Sequence, residues 1–171
     1  MATATLIPVE EYLATSYEPD HEYIDGELVE RNPGEYDHSN MQAALTAWLR
    51  IRAREWNVRA LVEQRVRVSA KKIRVPDVCL ISRDLPIERV ITHPPLVCIE
   101  VLSPDDRLRY YRDKVDEYTA MGVLAIWLFD PVKRQAFVCT REGFLPPEGG
   151  VLAIPGSPIQ IPLKDLFADL D

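Results

Sequence analysis

The pattern of apolar and polar positions divides the chain into short strand-like runs and two long helical stretches. From Ser39, "SNMQAALTAWLRIRAREW" places Met41, Leu45, Trp48, Leu49 and Trp56 on one stripe, with Arg50, Arg52 and Arg54 largely off it, which predicts an amphipathic helix. "SPDDRLRYYRDKVDEYTAMG" predicts a second helix, with Ser103 to Asp106 around its start and Gly122 at its C-terminal end. "VRALVEQRVRVSA" and "KKIRVPDVCLIS" each read as one strand. "LVCIEVL" and "VLAIWLFDP" read as strands buried on both faces, and "RQAFVCTREG" continues antiparallel across the Asp130-Pro131 turn.

Shorter signals complete the outline. Pro8 with "VEEYLATSY" predicts a short helix with proline in its first turn. "HEYIDGELVER" predicts a hairpin around Asp25-Gly26. "NPGEYDH" and residues 82 to 95 read as loops, and the tail is turn-rich, closing on an amphipathic turn of helix. The order strand, helix, strand over 96–129 is a βαβ crossover, which requires a parallel pair; the hairpins around it make the sheet mixed. With no repeat, low-complexity tract or linker, a single α/β (α+β) domain is expected over residues 1–171.

Composition narrows the class. The 171 residues are 47% hydrophobic and 27% charged, a folded rather than disordered composition. No apolar run has the length of a membrane span, and the start lacks the features of a signal peptide, so a cytoplasmic protein is expected. Cys79, Cys98 and Cys139, an odd set without CxxC spacing, each lie in an apolar run and read as buried reduced thiols. The net charge of −7 excludes a broad basic footprint for nucleic acid, although a metallonuclease, whose site is itself a carboxylate cluster, remains compatible.

One residue breaks the apolar pattern. Glu100 stands inside "LVCIEVL", where an ionised carboxylate costs several kcal/mol unless a counter-charge or metal compensates. Asp77 follows Pro76 at the start of the neighbouring strand-like run "VCLIS". Two carboxylates meeting from neighbouring strands offer the oxygen ligands that Mg²⁺ prefers. Lys114, three residues after Tyr111 and four before Tyr118, borders the face of the following helix that packs on the sheet, so its ammonium can reach the carboxylates. The alternatives are a capping role for Asp77, a salt bridge from Glu100 to Lys114 or an arginine, and a snorkelling surface lysine.

The runs "RVPDVCLI", "PPLVCIEVLSPDD", "DKVDEYTAMGV" and "AIWLFDP", preceded by "HEYIDGELVE", resemble the Uma2 family of restriction-endonuclease-like proteins in the PD-(D/E)xK nuclease superfamily, over roughly residues 8 to 140. The resemblance implies a restriction-endonuclease-like mixed central β-sheet flanked by helices, with Asp77 and Glu100 as metal ligands. Two departures stand out. The superfamily's lysine position two after the glutamate is Leu102, so Lys114 looks like a migrated substitute. Many relatives also have an aspartate four residues before that lysine, where this chain has Tyr110. Glu22 is the candidate accessory acid, with Glu27 competing, and a solvated hairpin charge is the alternative for both. His38 stands where the family commonly has a histidine, as a phosphate contact or a plain helix-start residue.

The expected activity is Mg²⁺-dependent (Mn²⁺ possible) hydrolysis of DNA phosphodiesters. Asp77, Glu100 and the Val101 carbonyl hold the cation, and Lys114 orients or deprotonates the attacking water. Arg107, Arg109 and Arg112 contact the DNA backbone or form a solvated helix face. An inactive binding or assembly module, with Glu100 and Lys114 as a structural ion pair, is the competing expectation, and RNA or a smaller phosphoester is an alternative substrate. A homodimer, joined through the apolar C-terminal tail, fits the superfamily's habit.

Overall fold

The computed structural model describes residues 5–171. In chain order its elements are α1 (Val9–Ala14), β1 (His21–Ile24), β2 (Glu27–Glu30), α2 (Tyr36–Arg52), β3 (Val58–Val62), β4 (Val66–Ser69), β5 (Lys72–Arg74) and β6 (Val78–Ser82). There follow β7 (Val97–Val101), α3 (Leu108–Met121), β8 (Ala125–Asp130), β9 (Gln135–Thr140), β10 (Gly143–Leu145), β11 (Val151–Ala153), β12 (Gln160–Pro162) and α4 (Leu163–Ala168).

The central sheet has six strands in the order β10-β9-β8-β7-β6-β3, all antiparallel except β7 and β8, which are joined through α3 in the expected crossover. Every residue of β7 is buried because helices cover both faces. Val97, Ile99 and Val101 face α2, packing with Met41, Leu45 and Leu49. Cys98 faces α3, packing with Tyr111, Val115 and Tyr118. The two-residue period of a strand therefore sends Glu100 to the α3 face. Trp127, only 1% exposed, belongs to the α2-side core. Trp127→Ala is expected to cost ~3–5 kcal/mol through the lost burial and the cavity left behind, read as a lower urea midpoint.

Two expected strands are each broken in two. Residues 58–70 form β3 and β4, which belong to different sheets, with Glu63 at φ 49° between them. Residues 71–82 form β5 and β6, because Pro76 has no N–H for the ladder. The consequence is a second sheet, β2-β1-β5-β4, in which the N-terminal hairpin pairs through β1 with β5, Tyr23 opposite Ile73. That pairing brings Glu22 towards the crossover. The hairpin forms about Asp25 (φ 52°) and Gly26 (φ 97°), as the Asp-Gly signal predicts.

Helix boundaries also shift. α2 begins at Tyr36, so Tyr36, Asp37 and His38 are helical rather than loop, and α3 begins at Leu108, after a turn. In that turn Asp106 accepts the Ser103 N–H at 2.6 Å and the Tyr111 hydroxyl. α1 ends at Ala14, with Pro8 at its N-cap rather than inside its first turn. All three cysteines are buried and free.

Candidate active site

Asp77 sits where the β6–β7 ladder stops. Beyond the last pair, Val78 with Ile99, its Oδ2 accepts the Val101 N–H at 2.7 Å. A side-chain carboxylate thus does the work of a backbone acceptor and is fixed one residue from Glu100. The Asp77 carbonyl accepts from Gln42 of α2 at 3.0 Å, which locks the segment further. Its Oδ1 faces two nitrogens, Arg31 Nη2 at 2.9 Å and His38 Nε2 at 3.4 Å.

Glu100 is 4% exposed, and both of its oxygens are engaged from α3. Lys114 Nζ donates to Oε2 at 2.9 Å and the Tyr118 hydroxyl to Oε1 at 2.7 Å. These donors lie four residues apart on one helix face, the spacing that lets two side chains reach the same carboxylate. Lys114 is itself 3% exposed. It also pairs with Glu22 Oε1 at 3.1 Å and lies 4.5 Å from the Tyr110 ring centroid.

Glu22 is wholly buried, pairs with Lys114 and accepts hydrogen bonds from three groups: Arg74 Nη1 at 2.9 Å, the Val75 N–H at 2.9 Å and the Tyr110 hydroxyl. Arg74 in turn makes two bonds to Glu117. Tyr110, standing where an aspartate was expected, supplies a donor and a π face instead of a third negative charge beside Lys114. Glu27, the competing accessory acid, is exposed on β2.

One pocket gathers Asp77, Glu100, Val101 and Lys114 together with His38 and Arg31. Arg107 also lines it, whereas Arg109 and Arg112 are exposed on α3 and are not among its lining residues. Arg31, Arg74 and Tyr118 were missed by sequence reasoning. Tyr118 had a usable signal, the four-residue step from Lys114. Arg31 and Arg74 had none: Arg74 meets Glu22 through pairing between β1 and β5, and Arg31 meets Asp77 across 46 positions of sequence.

The electrostatics divide the two glutamates. Burial works against ionisation of Glu22, but Lys114 and Arg74, aided by the Tyr110 and Val75 donors, more than offset it and hold its carboxyl down to about 2. For Glu100, burial dominates. Lys114 opposes it, yet Asp77 and Glu22 add repulsion, and the carboxyl is raised above the usual range. Lys114 is raised: burial favours its neutral form, but Glu100 and Glu22 outweigh that. His38 is raised chiefly by its hydrogen bond to Asp77, with burial opposing.

Glu22 therefore links stability to pH. Its depressed folded-state pKa contributes stability above its ordinary value of 4.5, and that contribution is lost as pH falls from 4.5 towards about 2. Acid denaturation followed by fluorescence is expected to show a drop in stability across this window, and Glu22→Gln is expected to flatten it.

The residues fit a hard divalent cation. Asp77, Glu100 and Val101 line one pocket, where their carboxylate and carbonyl oxygens are the hard donors such an ion prefers. No three His, Cys, Asp or Glu side chains among the described residues form a ready cage, so Asp77 and Glu100 would hold such an ion only together with non-carboxylate oxygens.

A mixed sheet with one crossover, flanked by α2 and α3 and carrying a carboxylate pair and a lysine at the crossover's mouth, defines a nuclease-like α+β fold. The crystal structure of a protein described as a "putative nuclease belonging to DUF820", from Anabaena variabilis ATCC 29413, has this fold, with a TM-score of 0.80 over 96% of this chain and 99% of that one at 23% identity. Residues 9–155 match the model of the Uma2 family, described as "Putative restriction endonuclease", and the chain belongs to that family. Curated proteins give no significant match. The family supports a nuclease function. No helix among the described residues is long and apolar enough to cross a membrane.

Proposed function

We propose that this protein is an endonuclease that hydrolyses DNA phosphodiester bonds with Mg²⁺ or Mn²⁺ held by Asp77, Glu100 and the Val101 carbonyl. The observation that carries this reading is the convergence of Asp77 and Glu100 on one pocket, with Lys114 buried against Glu100 at 2.9 Å. A bound cation lowers the pKa of its water and offsets charge on the phosphoryl oxygens. Lys114 is an ammonium at neutral pH, because its pKa is raised, so it orients the water and stabilises developing charge rather than acting as the base. Glu22 holds Lys114 from behind and is its positioning residue. His38, in the first turn of α2, and Arg107, at the start of α3, place donors for the substrate phosphates at the pocket wall. Arg109 and Arg112 add exposed positive charge on α3.

The test is nicking of supercoiled plasmid. Cleavage should require Mg²⁺ or Mn²⁺, cease with EDTA and weaken steeply with salt. Cleavage of structured RNA in preference to DNA would keep the site and change the substrate; no cleavage of either would reject the nuclease.

One observation favours a second reading. Each oxygen of Asp77 and Glu100 already meets a donor from the chain, so the Glu100–Lys114 pair can be purely structural, in a binding or assembly module without catalysis. Under that reading Mn²⁺ does not bind.

A further inference from the structure

Arg31 lines the pocket as a cation that the proposed chemistry does not yet use. It follows directly on β2, and its side chain is only 15% exposed. The two ends of that guanidinium do different things. Nη1 faces Asp20 at 3.5 Å and Glu63 at 3.8 Å, two carboxylates at the outer side, while Nη2 is directed inward onto Asp77 Oδ1 at 2.9 Å. Burial disfavours its charge, but Asp77, Glu100, Glu63 and Glu22 together keep it fully cationic. Arg31 is thus a tethered cation resting on Asp77 Oδ1, which His38 Nε2 also approaches at 3.4 Å, while Oδ2 is taken by the Val101 N–H.

A carboxylate oxygen cannot give the same lone pairs to a guanidinium and to a divalent ion at full strength, and two cations on one oxygen repel. The competition has a geometric outcome. When Nη2 leaves Oδ1, the Nη1 edge still has Asp20 and Glu63, so the side chain stays at the pocket with its Nη2 edge free. A planar guanidinium edge facing a metal-bearing pocket is a good donor for a phosphate oxygen.

We propose that Arg31 is a further active-site residue with two states. Without metal its guanidinium occupies Asp77 Oδ1; with metal it yields that oxygen and binds the phosphate of the substrate. This inference rests on the metal-dependent phosphodiesterase reading and adds to it a competitor for the cation that becomes a ligand for the phosphodiester.

The experiment uses Arg31→Gln and Arg31→Lys beside wild type, with Mn²⁺ titrated calorimetrically without nucleic acid. Binding of a short DNA duplex is then measured with Ca²⁺ in place of the catalytic ion. Removing a charge-assisted contact to Asp77 is expected to tighten Mn²⁺ binding in Arg31→Gln on the order of tenfold, with a lower melting temperature in EDTA. Duplex binding in Ca²⁺ is expected to weaken by a similar factor, and Arg31→Lys to fall between. Unchanged or weaker Mn²⁺ binding in a folded Arg31→Gln overturns the competition while leaving the metal reading intact. Tighter Mn²⁺ binding with unchanged duplex affinity overturns the phosphate role. No Mn²⁺ binding to wild type or variant rejects the metal reading itself, and the inference falls with it.

Discussion

Lys114→Ala is expected to be the most damaging single substitution in the site, lowering stability by roughly 3–5 kcal/mol and the melting temperature by roughly 6–20 °C. The reason is what it leaves behind. Glu22 retains Arg74, the Val75 N–H and Tyr110, but Glu100 retains only the Tyr118 hydroxyl while buried and repelled by Asp77 and Glu22. The loss therefore measures an uncompensated carboxylate more than a missing bond. This identifies the rescue: combining Lys114→Met with Glu100→Gln removes both charges at once and should recover most of the lost stability. In a double-mutant cycle the coupling energy is expected to be large and favourable. Equal, additive losses in denaturant melts would show that the pair is not coupled. Because Lys114→Ala damages folding, its loss of cleavage alone says nothing about chemistry.

Glu100→Gln separates the two questions. Glutamine has the same shape, and its amide oxygen can still accept from Tyr118 or Lys114. Ionised Glu100 is disfavoured in the fold, since its pKa is raised. A raised carboxyl is most stabilising when protonated, below its ordinary value of 4.5, and this contribution is lost as pH rises through the folded-state value. At neutral pH the neutral isostere is consequently expected to melt at or above the wild-type temperature. Metal-dependent nicking, by contrast, is expected to fall by more than the roughly 10–100-fold loss typical of a residue that only supports a metal ligand. Wild-type cleavage rates in a well-folded Glu100→Gln would remove Glu100 from the chemistry.

The outline of the fold and half of the site were legible from local pattern. The Asp-Gly turn, the crossover, the buried run interrupted by Glu100 and the position of Lys114 beside a packed helix face all depend on neighbours a few residues apart. The resemblance to Uma2 sequences then implied the role of the carboxylates, and the family itself is shown by the match over residues 9–155. What stayed hidden depends on long-range pairing. The runs 58–70 and 71–82 look continuous because apolar alternation carries through Glu63 and Pro76, yet the chain changes sheets at both places. Only that change makes β5 a partner for β1, and only through β1 does Glu22 meet Lys114 and Arg74. Arg31 was invisible for the same reason: 46 residues separate it from Asp77, and nothing in the polar loop after β2 marks one arginine as inward-facing. Tyr110 carried a signal, its departure from the family's aspartate, but the role as a donor to Glu22 needed the hairpin in place.

The central claim is that Asp77 and Glu100 hold a catalytic cation, rather than Glu100 serving only as the partner of Lys114. The most direct measurement is a calorimetric Mn²⁺ titration of wild type and Glu100→Gln, with melting curves of both in EDTA. The account predicts that wild type binds Mn²⁺, that Glu100→Gln loses at least about a hundredfold in affinity, and that its melting temperature is undiminished. A wild-type protein that binds no Mn²⁺, together with a Glu100→Gln that melts lower, would contradict it and leave Glu100 with a structural role alone.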